Sequence, residues 1–133
     1  MRRIENWPFA LSRFLTERQA VPFVWGASDC CLFAADAVVA ITGEDFAAGY
    51  RGTYATEEEA QALLEAAGGV AALAGAVGPR CLPTEARRGD VVLTEGGALG
   101  VVDDSGRRVA LYVAGRGLSR LPADCIRMAW RVG

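Results

Sequence analysis

One stretch limits what this chain can fold into more than any other: residues 22–43, PFVWGASDCCLFAADAVVAITG. "PFVWG" leads in extended to a turn at Gly26. Ser28 or Asp29 can then cap a helix that runs through Ile41 and stops near Gly43. Apart from Asp36, the interior of that helix is wholly apolar or thiol. A helix of this kind is buried on most sides, and the rest of the chain has to supply the cover. The 133 residues suffice for one domain spanning 1–133. A chain of that length buries roughly two-thirds of its unfolded surface and needs no metal or disulfide staple to hold a core.

The cover is predicted in two halves. Ahead of the apolar helix, Asn6 can cap a first helix with Pro8 in its opening turn and Phe9, Leu11, Phe14 and Leu15 as an apolar stripe. After it, Thr56 and Glu59 form a capping box before "EEEAQALLEAAGG", and a short helix is predicted over residues 70–77. Beyond Pro79 the pattern changes to five short apolar runs: "GDVVLTE", "ALGVVDD", "RRVALYVAG", "GLSRLPA" and "CIRMAWRV". Glycine, proline or Asp-Asp-Ser-Gly separates them, which predicts strands joined by tight turns. Helices first and strands after give an α+β domain with a small antiparallel, barrel-like sheet. Trp25 and Trp130 are expected in the core, and Asp36 is expected to be buried with a partner.

Composition narrows the function classes. A net charge of −2 argues against a nucleic-acid binder, which would carry a concentrated basic face. The pairs Arg2-Arg3, Arg87-Arg88 and Arg107-Arg108 each have acids nearby and read as solvated surface. No segment approaches the ~20 apolar residues of a membrane span. The N-terminal stretch reads as an amphipathic helix rather than a signal peptide, so reduced thiols are expected. The four cysteines, Cys30, Cys31, Cys81 and Cys125, match no zinc spacing, and there is no histidine to complete a site. Neither a metal nor another cofactor is expected.

Cys30 is the candidate nucleophile. A thiol in the first turn of a helix sits where backbone N–H groups and the helix dipole favour the thiolate, although Asp29 opposes it. Free cysteines are also among the most buried residue types, so plain core packing is the competing reading.

"FVWGASDCCLFAADAV" resembles the nucleophile motif of NlpC-type cysteine peptidases, papain-like enzymes that cut peptide crosslinks of bacterial cell walls. "EARRGDVVLTEGGALGVVDDSGRRVALYVAG" is similar to that family's Gly-Asp strand, turn and following strand pair. The resemblance runs from about Phe23 to Gly115 and implies a papain-like fold, with Trp25, Asp29 and Cys31 beside a vestigial site at Cys30. It departs from the family at one point. The active peptidases begin the strand after the Gly-Asp strand with His-Val-Gly-Ile, whereas this chain reads "ALGV", with Ala98 in the place of the base. The polar residue that orients the ring, expected near Ala110 to Ala114, is missing too. No rearrangement can restore a Cys–His pair in a chain without histidine.

A narrower group of small phage and prophage proteins shares "WGASDC", "RGTY", "RRGD", "LGVV" and "AWRV" and is encoded beside tail-hub components. That resemblance implies a virion protein of the tail tip, made in the bacterial cytoplasm, inactive as a peptidase and partnered by hub or distal tail proteins. The alternative is a working cell-wall peptidase whose base comes from a partner chain, with peptidoglycan as its substrate. A third reading is a binding module that retains the groove. Tyr50, Arg51 and Tyr54 are candidate interface residues, because tyrosine and arginine are enriched at interaction hot spots.

Overall fold

A computed structural model describes residues 1–133. Four helices precede a six-stranded sheet: α1 Trp7–Arg18, α2 Cys30–Thr42, α3 Glu57–Ala66, α4 Val70–Ala74, β1 Arg80–Cys81, β2 Val91–Thr94, β3 Leu99–Val102, β4 Arg108–Val113, β5 Gly117–Pro122 and β6 Ile126–Trp130. The domain is α+β, as its sequence predicts.

Asp29 caps α2, accepting the Leu32 N–H at 3.0 Å, and Gly43 ends the helix in the left-handed conformation. Thr56 caps α3, accepting the Glu59 N–H at 3.2 Å, while Glu59 returns to the Ala55 N–H at 3.1 Å. The predicted helix over 70–77 is α4 finished by a 3₁₀ turn. At α1 two expectations fail. Asn6 makes no side-chain capping bond, and the start rests on the proline in the first turn. Phe9 lies outside the apolar stripe and is 65% exposed. Two residues are 200° of helix, so Phe9 faces away from Leu11 and its partners Phe14 and Leu15.

The strands pair antiparallel in the order β1-β6-β2-β3-β4-β5. The sheet has two free edges and is open, not barrel-like. Closure would require β1 to pair with β5, and neither is fit for it. β1 is only two residues long and β5 ends on Pro122, which has no N–H to donate. β1 is also the strand that no apolar run announces.

Side-chain alternation divides the sheet between two cores. Val91, Leu99, Val101, Ala110, Tyr112 and Trp130 face the helices and join Leu11, Phe14, Phe33 and Val38 in a single cluster. Val92, Val102, Val109 and Ala129 face the other way, against Cys81, Ala86, Cys125 and Ile126. Trp130 is in the core as expected. α2 lies across β3 and β4, where Phe33 stacks on Tyr112 with ring centroids 4.8 Å apart. The buried Tyr112 hydroxyl donates toward the carbonyls of Arg18 at 2.6 Å and Val21 at 2.9 Å. It thereby holds the end of α1 and the segment that leads to α2.

One arginine is not the solvated surface its neighbours suggest. Arg3 donates to the carbonyls of Val132 and Arg88 at 2.6 and 2.7 Å, and to Asp90 at 2.9 Å. Asp90 in turn accepts the Val132 N–H at 3.0 Å and the Arg87 N–H at 2.9 Å. The aspartate of "RRGD" is therefore the centre of a clamp that joins residue 3 to residue 132.

Candidate functional site

α2 begins where three short-range choices agree. Asp29 caps it, Gly26 turns the chain at φ +80, and Ser28 donates to the Pro22 carbonyl at 2.6 Å. Gly26 has a second reason to be glycine. A Cβ there would stand 1.9 Å from the Tyr54 carbonyl oxygen, so the turn and the 50–54 loop can meet only without a side chain. The Gly52 N–H donates to the Gly26 carbonyl at 3.0 Å and fixes that contact.

Asp29 is buried and holds three donors. The Gly26 N–H reaches one carboxylate oxygen at 2.9 Å, the Leu32 N–H reaches the other at 3.0 Å, and the Tyr54 hydroxyl donates to the first. None of these partners carries a charge. Burial, then the bond to Asp29, pushes the Tyr54 hydroxyl well above its ordinary value, so it keeps its proton.

Cys30 and Cys31 follow, both free thiols and both half-buried. The Cys31 S–H donates to the Cys30 sulfur, and this bond lowers the Cys30 thiol below its ordinary value. Burial and the Asp29 carboxylate oppose the shift, while the backbone N–H groups of Leu99 and Cys31 assist it. Cys31 moves strongly the other way and stays protonated as the donor. The two sulfurs thus differ in tendency: Cys30 is the one that ionises more readily.

The contact with Leu99 sets Cys30 against the start of β3, directly beside Ala98. The Ala98 carbonyl is taken by the N–H and the hydroxyl of Thr94, each at 3.0 Å. The Ala98 side chain is a methyl group, and Ala110 on the neighbouring β4 is buried and apolar. Position 98 lies next to the thiol, and nothing there can accept its proton.

Beside the thiols is a pocket of about 130 Å³, bounded by the start of α2, the 47–54 loop, α3, α4 and Gly97. Twelve of its sixteen lining residues are hydrophobic, so it suits an apolar group. Trp25 is a half-buried wall of this pocket, edge-on to Phe23 at 4.8 Å, and is not core as expected. Leu63, Leu64, Val70 and Leu73 complete the pocket from the far side, and sequence reasoning missed all four. They read as ordinary apolar faces of α3 and α4, and only the fold brings them to Cys30.

The candidate interface residues are engaged within the domain. Tyr50 and Tyr54 pack against Leu32, Ala35 and Ala47. Arg51 bridges Asp36 and Asp45, each at 2.7 Å, and Arg18 meets Asp36 at 2.5 Å. Asp36 is half-buried with two cations, in keeping with the partner expected for it.

Chemically, the site can form a thiolate, offer it backbone N–H groups and lodge an apolar group beside it. It has no histidine to shuttle a proton to a leaving amine. Tyr54 retains its proton for Asp29, and Cys31 retains its own for Cys30. The comparison with curated proteins finds no match. The family description that matches is "Domain of unknown function (DUF6950)", over residues 2–132, so it takes in the Cys30 pocket and the Arg3 clamp alike. On that near-complete match, the chain belongs to the DUF6950 family.

Proposed function

We propose that this chain is a structural protein of a phage tail tip, built on an NlpC-type, papain-like scaffold that has lost peptidase activity. The observation that carries the loss of activity is local. Cys30 lies beside position 98, that position is alanine, and the chain contains no histidine. General-base assistance typically contributes about 10²–10⁴-fold, so its absence leaves hydrolysis near background. The virion setting rests on the shared segments "WGASDC", "RGTY", "RRGD", "LGVV" and "AWRV", and its partners are hub or distal tail proteins.

A second reading is favoured by one observation: the Cys30 thiol is lowered without any histidine. A partner chain that supplied the base would complete a peptidase acting on peptidoglycan peptides. Incubation of muropeptides with the chain in its assembled setting, purified phage particles, alongside the isolated chain separates the two. No new product is expected, and products that vanish in Cys30→Ala would establish the peptidase. Purified phage particles probed for the chain test the setting, and particles without it would overturn the tail-tip assignment.

A further inference from the structure

Arg3, Arg87, Arg88 and Arg131, far apart in sequence, line one cleft of about 390 Å³ together with Trp7 and Asp90. Four cationic side chains there face a single side-chain carboxylate, and Arg3 engages it; Gly133 completes the lining. Arg87, Arg88 and Arg131 take part in no ion pair, although the chain as a whole is acidic. The Arg88 side chain and the backbone at Arg87 and Arg131 are held in place. The Arg88 stem packs on Gly106, where a Cβ would lie 3.3 Å from its Cγ, and its guanidinium lies 5.3 Å from the Trp7 ring centroid. Arg3 covers the same ring at 4.1 Å. The Arg87–Arg88 turn is held by Asp90 and Arg3, and the Arg131 N–H is bound to the Pro79 carbonyl at 2.8 Å. Arg87 and Arg88 are exposed, as their pairing in the sequence suggests, and so remain open to a ligand.

We propose that this cleft is an oxyanion site for a phosphate monoester or diphosphate group. The charge and donor count select that class. A lone carboxylate brings one negative charge and two oxygens, whereas a terminal phosphate brings nearly two charges and three acceptor oxygens. Guanidinium groups brought to one cleft from three segments match the latter in charge and in donor number. Burial holds Arg3 below its ordinary value against the pull of Asp90, and the nearby Arg88 adds a smaller push in the same direction. The inference is independent of Cys30 and of the tail-tip reading.

Calorimetric titration of the full chain with pyrophosphate, inorganic phosphate and acetate at constant ionic strength tests it. Saturable binding of pyrophosphate is expected, weaker binding of phosphate, and none of acetate. Arg131→Gln and Arg88→Gln should each weaken pyrophosphate binding about tenfold or more. Arg131→Gln leaves the Trp7 contacts intact, so it decides the matter even if Arg88→Gln unfolds. Three results would each overturn the proposal: no saturable heat with pyrophosphate, unchanged affinity in Arg131→Gln, or acetate binding as tightly as phosphate. Tighter binding of a short DNA duplex than of pyrophosphate through these arginines would also overturn it, in favour of a nucleic-acid backbone.

Discussion

Two buried aspartates sit at the two ends of α2, and they show how differently the same side chain can be used. Asp90 lies at the C-terminal end, where the Ile4 N–H also donates to the Ile41 carbonyl at 2.8 Å. Asp29 lies at the N-terminal end, thirteen residues and about 20 Å away. Asp90 is neutralised by the Arg3 guanidinium and accepts two backbone N–H groups. Asp29 is held by two N–H groups and a tyrosine hydroxyl, with no cation. The first arrangement cancels charge and locks the fold. The second leaves a negative field at a thiol, where it acts on chemistry as well as on stability.

The largest effect expected from this contrast comes from Asp90→Ala. It removes the ionic partner of a half-buried guanidinium and strands two backbone donors at once, and losing one side of such a pair costs up to about 3–5 kcal/mol. Urea unfolding measures it. A loss no greater than that of an Asp29 variant would break the comparison.

Next comes Asp29→Asn. The amide keeps one acceptor oxygen for Leu32 but presents an NH₂ to the Gly26 N–H, costing about 1–3 kcal/mol. It also removes the carboxylate that opposes the Cys30 thiolate. The sign follows directly: a neighbouring anion raises a thiol, so its removal moves the alkylation midpoint to lower pH. Iodoacetamide rates across pH, read by mass at Cys30, would show it. A midpoint that stays put would mean Asp29 matters only as a cap.

The smallest effect on stability, under about 1 kcal/mol, is expected from Cys31→Ala, which removes little buried apolar surface. Its effect on Cys30 should run opposite to that of Asp29→Asn. Without the Cys31 S–H the thiolate loses the donor that lowers it most, and the alkylation midpoint rises. The two variants moving in the same direction would refute the division of roles between the sulfurs.

What the sequence reveals depends on range. Capping is decided within three or four residues, so Asp29 with Leu32 and Thr56 with Glu59 are legible without a fold. Short apolar-rich stretches set off by turn residues reveal five strands, but β1 has only two residues and is paired with β6. The same limit governs the site. Asp29-Cys30 at a helix start can be read directly, and Ala98 is legible by resemblance. The pocket walls on α3 and α4, the Tyr54 hydroxyl and the Leu99 N–H reach Cys30 only through the fold. The Arg3 clamp is the extreme case, because a bond to residue 132 leaves no local pattern. Tyr50 and Arg51 show a related limit: the residue types favoured at interfaces are equally suited to fastening a loop to its own domain.

The clamp also gives the molecule a mechanical character. A single guanidinium fastens the segment around residue 3 to that around residue 132, so both ends of the fold leave from one corner. Tension applied across those ends meets this knot before it can peel a strand or disturb α2. The clamp and the thiol pocket lie at opposite ends of α2, so a load carried at one corner reaches the other only along the helix.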